Sequence, residues 1–389
     1  MIIKIGIDAR MFSDSFTGIG RYNFELTKRF FDKNFLDKFF IKYGYPLSAK
    51  NIQWIIFMND PEYSKFHFGE NVKKVCVNSP HYSFPEQTKF LYFLKKNKCD
   101  LVHFTHFNLP YFYRKNFIVT IHDTTISFFP GKKMNNWYRK FAYNLIIKNA
   151  IKKSQKIISV SENTKKDILK IFKIESKKIH TIKNGISQEF GLITDEEKQK
   201  IKQKFQLQKN FLLYTGNWRE HKNLVRLIQA FKKIQDKKTI KNLQLVITGT
   251  PDPFYPEVKE TIKILDLEKN VKLVGLVNFE DLKKLYASAL IYVFPSLYEG
   301  FGMPPLEAMQ SHTPICVSNS SSLPEVCGDA AIFFDPLDID DIAQKIIQLI
   351  EDENLRKKMI QKGILHVKKF SWEKCAEETL NLYFSNIKI

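Results

Sequence analysis

The sequence predicts an α/β protein of two doubly wound, Rossmann-like domains, and three observations carry that expectation. Short apolar runs alternate with longer amphipathic ones along almost the whole chain. The runs fall into two series of similar length, separated by a polar stretch. A chain of 389 residues is also long for a single core, so two domains of about 190 residues each is the natural division. Buried runs that alternate with helical ones mean parallel sheets covered on both faces.

In the first series the strand-like runs are residues 2–7, 54–58, 101–105, 117–121 and 157–160. Helical periodicity marks 20–31, 136–152 and 162–172. The second series has strands at 211–215, 243–248, 271–274, 291–294 and 313–318, and helices at 224–234, 280–288 and 340–350. The turn dipeptide Asn184-Gly185 and the polar stretch 194–208 separate the two. The expected domains are therefore 1–190 and 191–370, with 371–389 as a closing helix. That helix starts at Ser371 and offers Trp372 and Phe384 for packing back on the first domain.

Composition narrows the class. With 44% hydrophobic and 26% charged residues the chain reads as a soluble globular protein, and no apolar run approaches the roughly 20 residues of a membrane-spanning helix. The opening MIIKIGIDAR has too short an apolar run for a signal peptide and reads as a buried first strand. Five scattered cysteines form no CxxC pair, which argues for reduced core thiols in a cytoplasmic protein rather than a disulfide framework or a zinc site. Charge is unevenly placed. Residues 1–190 hold 33 Lys and Arg against 15 Asp and Glu, whereas the remainder holds 28 against 26. Clusters fall at Lys95, Lys96 and Lys98, at Lys132, Lys133, Arg139 and Lys140, and at Lys148, Lys152, Lys153 and Lys156. Such a face attracts phospholipid headgroups, a lipid-linked diphosphate or nucleic acid; a merely solvated basic surface is the competing reading.

Open parallel sheets bind ligands beyond the carboxyl ends of their strands, and the strongest chemical signal lies in such a loop. It is YVFPSLYEGFGMPPLEAM, residues 292–309. The strand ends near Phe294, and proline favours a helix start at Pro304-Pro305. Gly300, Phe301, Gly302 and Met303 then present backbone donors to an anion, assisted by the helix dipole. Glu299 precedes this turn and Glu307 is expected in the first helical turn. Two carboxylates on either side of a phosphate-type turn can hold hydroxyls flanking a phosphate, which describes a nucleotide sugar. For Glu307 alone, a favourable first-turn acid is the plainer reading.

The spacing from Glu299 to Glu307 and the residues between them resemble the E-x7-E signature of retaining glycosyltransferases of the group-1 family (family 4). The resemblance extends over nearly the whole chain. Thr17-Gly18-Ile19-Gly20-Arg21-Tyr22 looks like the family's glycine-rich loop, which implies a donor-side role for Gly18 and Gly20. Gly216-Asn217-Trp218-Arg219-Glu220-His221-Lys222-Asn223-Leu224 resembles its G-x5-K-N-L segment, where a lysine and an arginine bind the donor diphosphate. Lys222 matches; the usual arginine after Gly216 is replaced by Asn217, with Arg219 as the substitute. Ile121-His122-Asp123 ends a strand as the family's sugar-facing histidine does. His103, His106 and Asp123 are acceptor-side candidates, with core packing an equal alternative for the two histidines. Smaller matches are Ser161-Glu162-Asn163-Thr164, a helix cap, Lys183-Asn184-Gly185-Ile186, a closing turn, and Leu323-Pro324-Glu325-Val326, in which Glu325 is a weak site candidate.

The resemblance implies a GT-B architecture, with two Rossmann-like domains facing a central cleft. It further implies transfer of a hexose from a nucleoside diphosphate with retention, Glu299 on sugar hydroxyls, Glu307 on the ribose and His122 on the sugar. No metal-ligand spacing and no strand-end DxD pair are present, so metal-independent chemistry without a cofactor is expected. The Gly-Ile-Gly-Arg-Tyr and Lys-Asn-Leu segments look most like bacterial surface-polysaccharide mannosyltransferases. That implies GDP-mannose, a lipid-linked or oligosaccharide acceptor, and a place on the inner face of the cell membrane. A UDP-sugar with a soluble acceptor stays open. A retaining glycosidase also uses two carboxylates but has no need of a phosphate turn. The basic half raises nucleic-acid binding, yet no binding motif accompanies it, and no nucleic-acid partner is expected.

Overall fold

The computed structural model describes residues 2–13, 18–131, 137–237 and 242–387. Of the expected features, the loop residue Thr17 and the basic pair Lys132 and Lys133 lie outside them. The chain divides into two units. One comprises Met1–Thr124, Asn136–Gly185 and Ser371–Ile389; the other comprises Thr125–Asn135 and Ile186–Phe370. The division thus falls after Gly185, not after residue 190, and the short segment Thr125–Asn135 belongs with the second unit.

The first unit is built on seven strands: β1 (Ile3–Asp8), β2 (Ile52–Met58), β3 (Val72–Cys76), β4 (Leu101–Phe104), β5 (Phe117–Ile121), β6 (Lys156–Ser159) and β7 (Ile179–Thr181). Their order is β3-β2-β1-β4-β5-β6-β7, and every pairing is parallel. The second unit has six: β8 (Asn210–Tyr214), β9 (Leu243–Thr248), β10 (Val271–Gly275), β11 (Ile291–Phe294), β12 (Ile315–Ser318) and β13 (Ile332–Phe334). They run β10-β9-β8-β11-β12-β13, again all parallel. The central strands are buried on both faces, which is why they read as unbroken apolar runs.

Winding reverses between β1 and β4 in one sheet and between β8 and β11 in the other. Ligands bind at such switch points, where neighbouring loops diverge. Each unit therefore has one strand end suited to a site.

Three strands escaped the sequence reading: β3, β7 and β13. All are sheet edges. An edge strand pairs on one side only and tolerates polar residues; β3 carries Lys73 and Lys74, and β7 has three residues. The polar stretch 194–208 is also not a linker. It contains the helix Asp195–Phe205, opened by a capping box in which Thr194 and Glu197 satisfy each other's backbone amides.

The closing helix Trp372–Phe384 is capped by Ser371 and packs within the first unit. A Cβ on Gly185 would stand 2.2 Å from the backbone nitrogen of Trp372, so glycine is required there by close approach. Tyr383 from the same helix reaches the core of the first sheet.

Candidate donor site and the first-unit histidines

Lys222 and Glu299 meet at the switch point of the second sheet. Lys222 closes a short 3-10 turn, Glu220–Lys222, in the loop after β8, and Glu299 lies in the loop after β11. The two loops are stitched together by backbone and amide bonds. Leu297 N donates to His221 O at 2.7 Å, and Asn223 Nδ2 donates to Pro295 O and Pro336 O. Across this seam Lys222 Nζ lies 2.6 Å from Glu299 Oε1, with both side chains mostly buried. Glu299 is itself held by the loop after β12: its amide donates to Ser321 Oγ, and Ser322 Oγ donates to the carbonyls of Glu299 and Phe301.

The pairing settles an electrostatic conflict. Lys222 stands just before the helix Leu224–Asp236, where a cation opposes the dipole. Within the chain the Glu299 carboxylate relieves this. Burial of His221, followed by its cationic neighbours Lys222 and Arg219, pushes that imidazole down to about 3, so it adds no positive charge near neutral pH.

The helix after this turn runs Met303–Gln310 with Gly302 as its N-cap at φ 92°. A Cβ there would stand 2.6 Å from Leu323 Cδ2, so both conformation and space call for glycine. The helix starts at Met303, one residue before the expected Pro304. Glu307 is consequently its fifth residue, not part of the first turn. Of the four leading positions that lack intrahelical partners, Gly302, Met303, Pro304 and Pro305, two are prolines without an N–H. The amide donors at this end are thus those of Gly302 and Met303.

Glu307 accepts a hydrogen bond from the Tyr286 hydroxyl at 2.9 Å. Thr215 Oγ1 links Tyr286 to Tyr292 at 2.8 and 3.0 Å, so the carboxylate rests on a buried polar chain that begins at the end of β8. Burial, and then the Glu307 charge, holds the Tyr286 phenol well above its ordinary value and keeps it a donor. Tyr286, Ser321 and Ser322 were not found by sequence reading; nothing in their local pattern distinguishes them from ordinary helix and loop residues.

Other residues of the expected phosphate segment stand apart. Gly216 has φ 141°, and its carbonyl oxygen would lie 2.0 Å from a Cβ on Gly249, so the two loops touch backbone to backbone. Asn217 and Arg219 are exposed, and among the described residues the Arg219 side chain makes no hydrogen bond or ion pair. Glu325 is half-buried in the short helix Leu323–Cys327. In the first unit Gly18 opens the helix Gly18–Phe30 rather than lying in a loop, and Gly20 is buried within it.

The first-unit histidines differ in kind. His103 is a core residue, not an acceptor-side one. It is fully buried on β4, with Nδ1 at 2.5 Å from the Tyr383 hydroxyl and Nε2 at 2.7 Å from Thr120 Oγ1. Burial pushes it down to about 3, so it packs neutral. His122, just past β5, is half-buried, and its Nε2 lies 2.9 Å from the Thr105 carbonyl. A carbonyl only accepts, so Nε2 carries the proton and Nδ1 is left as the acceptor of the neutral ring. Tyr22 packs edge-on against this ring with centroids 4.9 Å apart. His106 is half-buried beside His81, Tyr82 and Phe107, and burial holds it well below its ordinary value. Asp123 follows His122, half-buried.

At the first switch point sits a hub that sequence reading missed. Arg10 binds Asp8 through two nitrogens and Glu86 at 2.7 Å, and donates to the carbonyls of Ser79 and Asn108. All three charged groups are buried, an arrangement that persists only when each charge is paired. The signal available was Asp-x-Arg at the end of a buried strand.

Two parallel α/β units carry charged loops at their switch points, where sheets of this kind bind their ligands. Residues 195–366 match the family described as glycosyl transferases group 1, and residues 51–190 match glycosyltransferase family 4. The chain is 29% identical over 372 residues to O-antigen chain mannosyltransferase B of Escherichia coli, covering 94% of this chain and 96% of that one. It is 30% identical over 344 residues to an uncharacterized glycosyltransferase of Methanocaldococcus jannaschii, covering 83% and 86%. Sucrose-phosphate synthase from Thermosynechococcus elongatus shares the fold, with a TM-score of 0.74 at 18% identity over 98% of each chain. This chain therefore belongs to the group-1 (family 4) glycosyltransferases and has their GT-B fold.

No helix among the described residues is long and apolar enough to cross a membrane.

Proposed function

We propose that this glycosyltransferase moves mannose from GDP-mannose to a hydroxyl of a lipid-linked or surface oligosaccharide, with the anomeric configuration retained. The Lys222–Glu299 pair beside the Gly302 helix start is the observation that carries the reading: it joins a cation for phosphate to a carboxylate for sugar hydroxyls. Mannose is favoured because the Escherichia coli relative, similar over nearly its whole length, is named as an O-antigen chain mannosyltransferase.

In this reading the diphosphate meets Lys222, the amides of Gly302 and Met303, and the exposed Arg219, whose side chain has no hydrogen-bond or ion-pair partner to give up among the described residues. Glu299 turns from Lys222 to the sugar hydroxyls, and Glu307, steadied by Tyr286, takes the ribose. His122 keeps the sugar contact that the family resemblance assigns to it, with Nδ1 as acceptor. The bond from the anomeric carbon to the leaving phosphate oxygen breaks, and the acceptor oxygen forms the new bond on the same face. The acceptor's proton passes to the departing phosphate, and the charge that develops there is stabilised by Lys222. One preorganised donor of this kind is worth about 3 kcal/mol, or a hundredfold in rate. The chemistry needs no protein nucleophile, and we infer metal independence from the same set of donors. The basic first unit suits an anionic membrane surface on its cytoplasmic side.

The test is a panel of nucleotide sugars assayed for nucleotide release with and without a mannose-terminated acceptor. GDP-mannose should be turned over fastest, and added EDTA should leave the rate unchanged. Preference for a UDP-sugar would replace the donor assignment while keeping the enzyme class. Absence of turnover with every donor, alongside salt-sensitive oligonucleotide binding, would overturn the reading.

A further inference from the structure

Past Thr124 the chain reads Thr-Ile-Ser-Phe-Phe-Pro-Gly over residues 125–131, without a charged side chain. The short helix Thr125–Phe128 is followed by Phe129, whose amide donates to the Thr125 carbonyl, and Gly131 ends the run at φ 66°. This segment belongs to the second unit, and its two phenylalanines meet the loops that carry Lys222 and Glu299.

Phe128 packs on Tyr298 with ring centroids 5.2 Å apart. Phe129 reaches two rings, His221 at 6.1 Å and Tyr298 at 6.3 Å. Both partners are buried. They are the residues immediately before Lys222 and Glu299, so one ring spans the loop after β8 and the loop after β11. It does so where the backbone of the two loops is already joined by the bond from Leu297 N to His221 O. Asn223 braces the first loop and Ser321 and Ser322 brace the second; Phe129 joins them next to the charged pair itself.

Such a contact has a consequence for binding. Loops that a ligand must first order weaken its affinity, and a support present beforehand removes that cost. Aromatic pairs at these separations are suited to the task because their edges and faces favour a limited set of orientations.

We propose that Phe128 and Phe129 are positioning residues of the donor site: they hold the Tyr298 and His221 rings, and through them keep Lys222 and Glu299 in register before a nucleoside diphosphate arrives. The inference rests on the donor reading given above and adds to it two residues that act only through their neighbours. Because a bound diphosphate then organises Lys222 and the Gly302 turn in their place, the strap governs binding more than the chemical step.

The test compares the full-length parent with Phe128→Ala, Phe129→Leu and the Phe128→Ala, Phe129→Ala double variant. GDP and UDP are each titrated by calorimetry, and transfer is assayed. The double variant should bind the preferred nucleotide about tenfold more weakly. Donor KM should rise by a similar factor, with kcat close to that of the parent. Phe128 is 42% exposed, so Phe128→Ala should fold normally and show a smaller loss of the same kind. Phe129→Leu keeps an apolar contact and should recover most of the affinity. Hydrogen exchange gives a reading that needs no nucleotide: the amides of Lys222, Asn223 and Leu297, which are bonded within and across the two loops, should exchange faster in the double variant. The rest of the second unit should be unchanged. A plain packing role would lower the unfolding temperature and leave donor KM and these amides as in the parent, and that result would overturn the proposal. So would a loss confined to kcat. A parent that binds neither nucleotide would refute the donor reading, whereas parent-like nucleotide affinity and exchange in the folded double variant would refute the strap alone.

Discussion

Lys222 and Glu299 neutralise one another across two loops at 2.6 Å, so substituting either one exposes the other. Lys222→Ala removes the cation proposed for the phosphate and strands a mostly buried carboxylate; transfer should fall by about a hundredfold or more, with a stability loss of about 1–3 kcal/mol measured by chemical denaturation. Glu299→Ala should abolish transfer with the fold intact. Normal turnover in both variants would remove the site from the account. Tyr286→Phe leaves Glu307 without its hydroxyl donor. Since Glu307 is placed on the ribose, donor KM should rise severalfold while kcat stays close to that of the wild type; an unchanged KM would separate Glu307 from the donor. At this scale the sequence disclosed the residues that carry charge into loops, because unpaired acids among glycine, proline and aromatic neighbours stand out. It could not disclose Ser321, Ser322 or Tyr286, whose function lies entirely in which loop the fold brings beside them. Nor could it assign His103: it lies within an apolar strand, and its core role is set by Tyr383, 280 residues away.

Elements were legible in proportion to their burial. The doubly buried central strands announce themselves as Val, Ile and Leu runs, whereas β3, β7 and β13 sit at edges and mix lysine and short length into the pattern. The helix Asp195–Phe205 was hidden by its polarity, since one residue of its eleven is buried; its Thr194–Glu197 capping box was the signal to use. The start of the helix Met303–Gln310 gives a sharp test of element geometry. Gly302→Ala must place a Cβ against Leu323 in a left-handed backbone, and should cost at least about 2 kcal/mol. The site would shift with it, so nucleotide affinity should drop along with thermal stability. A variant as stable as the parent would show that the turn has another conformation available.

For the molecule as a whole, four imidazoles, two buried and two half-buried, weaken the fold in acid. Burial lowers His103, His106, His122 and His221 in the folded chain, whereas in the unfolded chain each takes up a proton near pH 6.5. The unfolded state therefore binds more protons below that pH, and stability falls as pH drops from about 6.5 toward the lowered folded values. Each histidine contributes a slope of up to about 1.4 kcal/mol per pH unit. Denaturant midpoints should be flat from pH 8 to 7 and decline steeply by pH 5.5. His103→Gln, by removing one of these groups, should make the decline shallower. A pH-independent midpoint would contradict the neutral packing of these rings. The uneven charge was readable at this scale from the sequence alone. Its concentration beside exposed aromatics on the helix Trp137–Lys153 required the fold, because periodicity does not say which half of a helix goes uncovered.

Calorimetric titration of GDP and of GDP-mannose onto the parent, Lys222→Ala and Glu299→Gln proteins tests the central claim most directly. If Lys222 is the phosphate cation and Glu299 its resting partner, Lys222→Ala should weaken GDP binding at least tenfold. Glu299→Gln frees the lysine and should bind GDP as tightly as the parent or more so, while losing transfer and the added affinity that the mannosyl group confers. Loss of GDP affinity in Glu299→Gln with transfer retained, or full GDP affinity in Lys222→Ala, would contradict it.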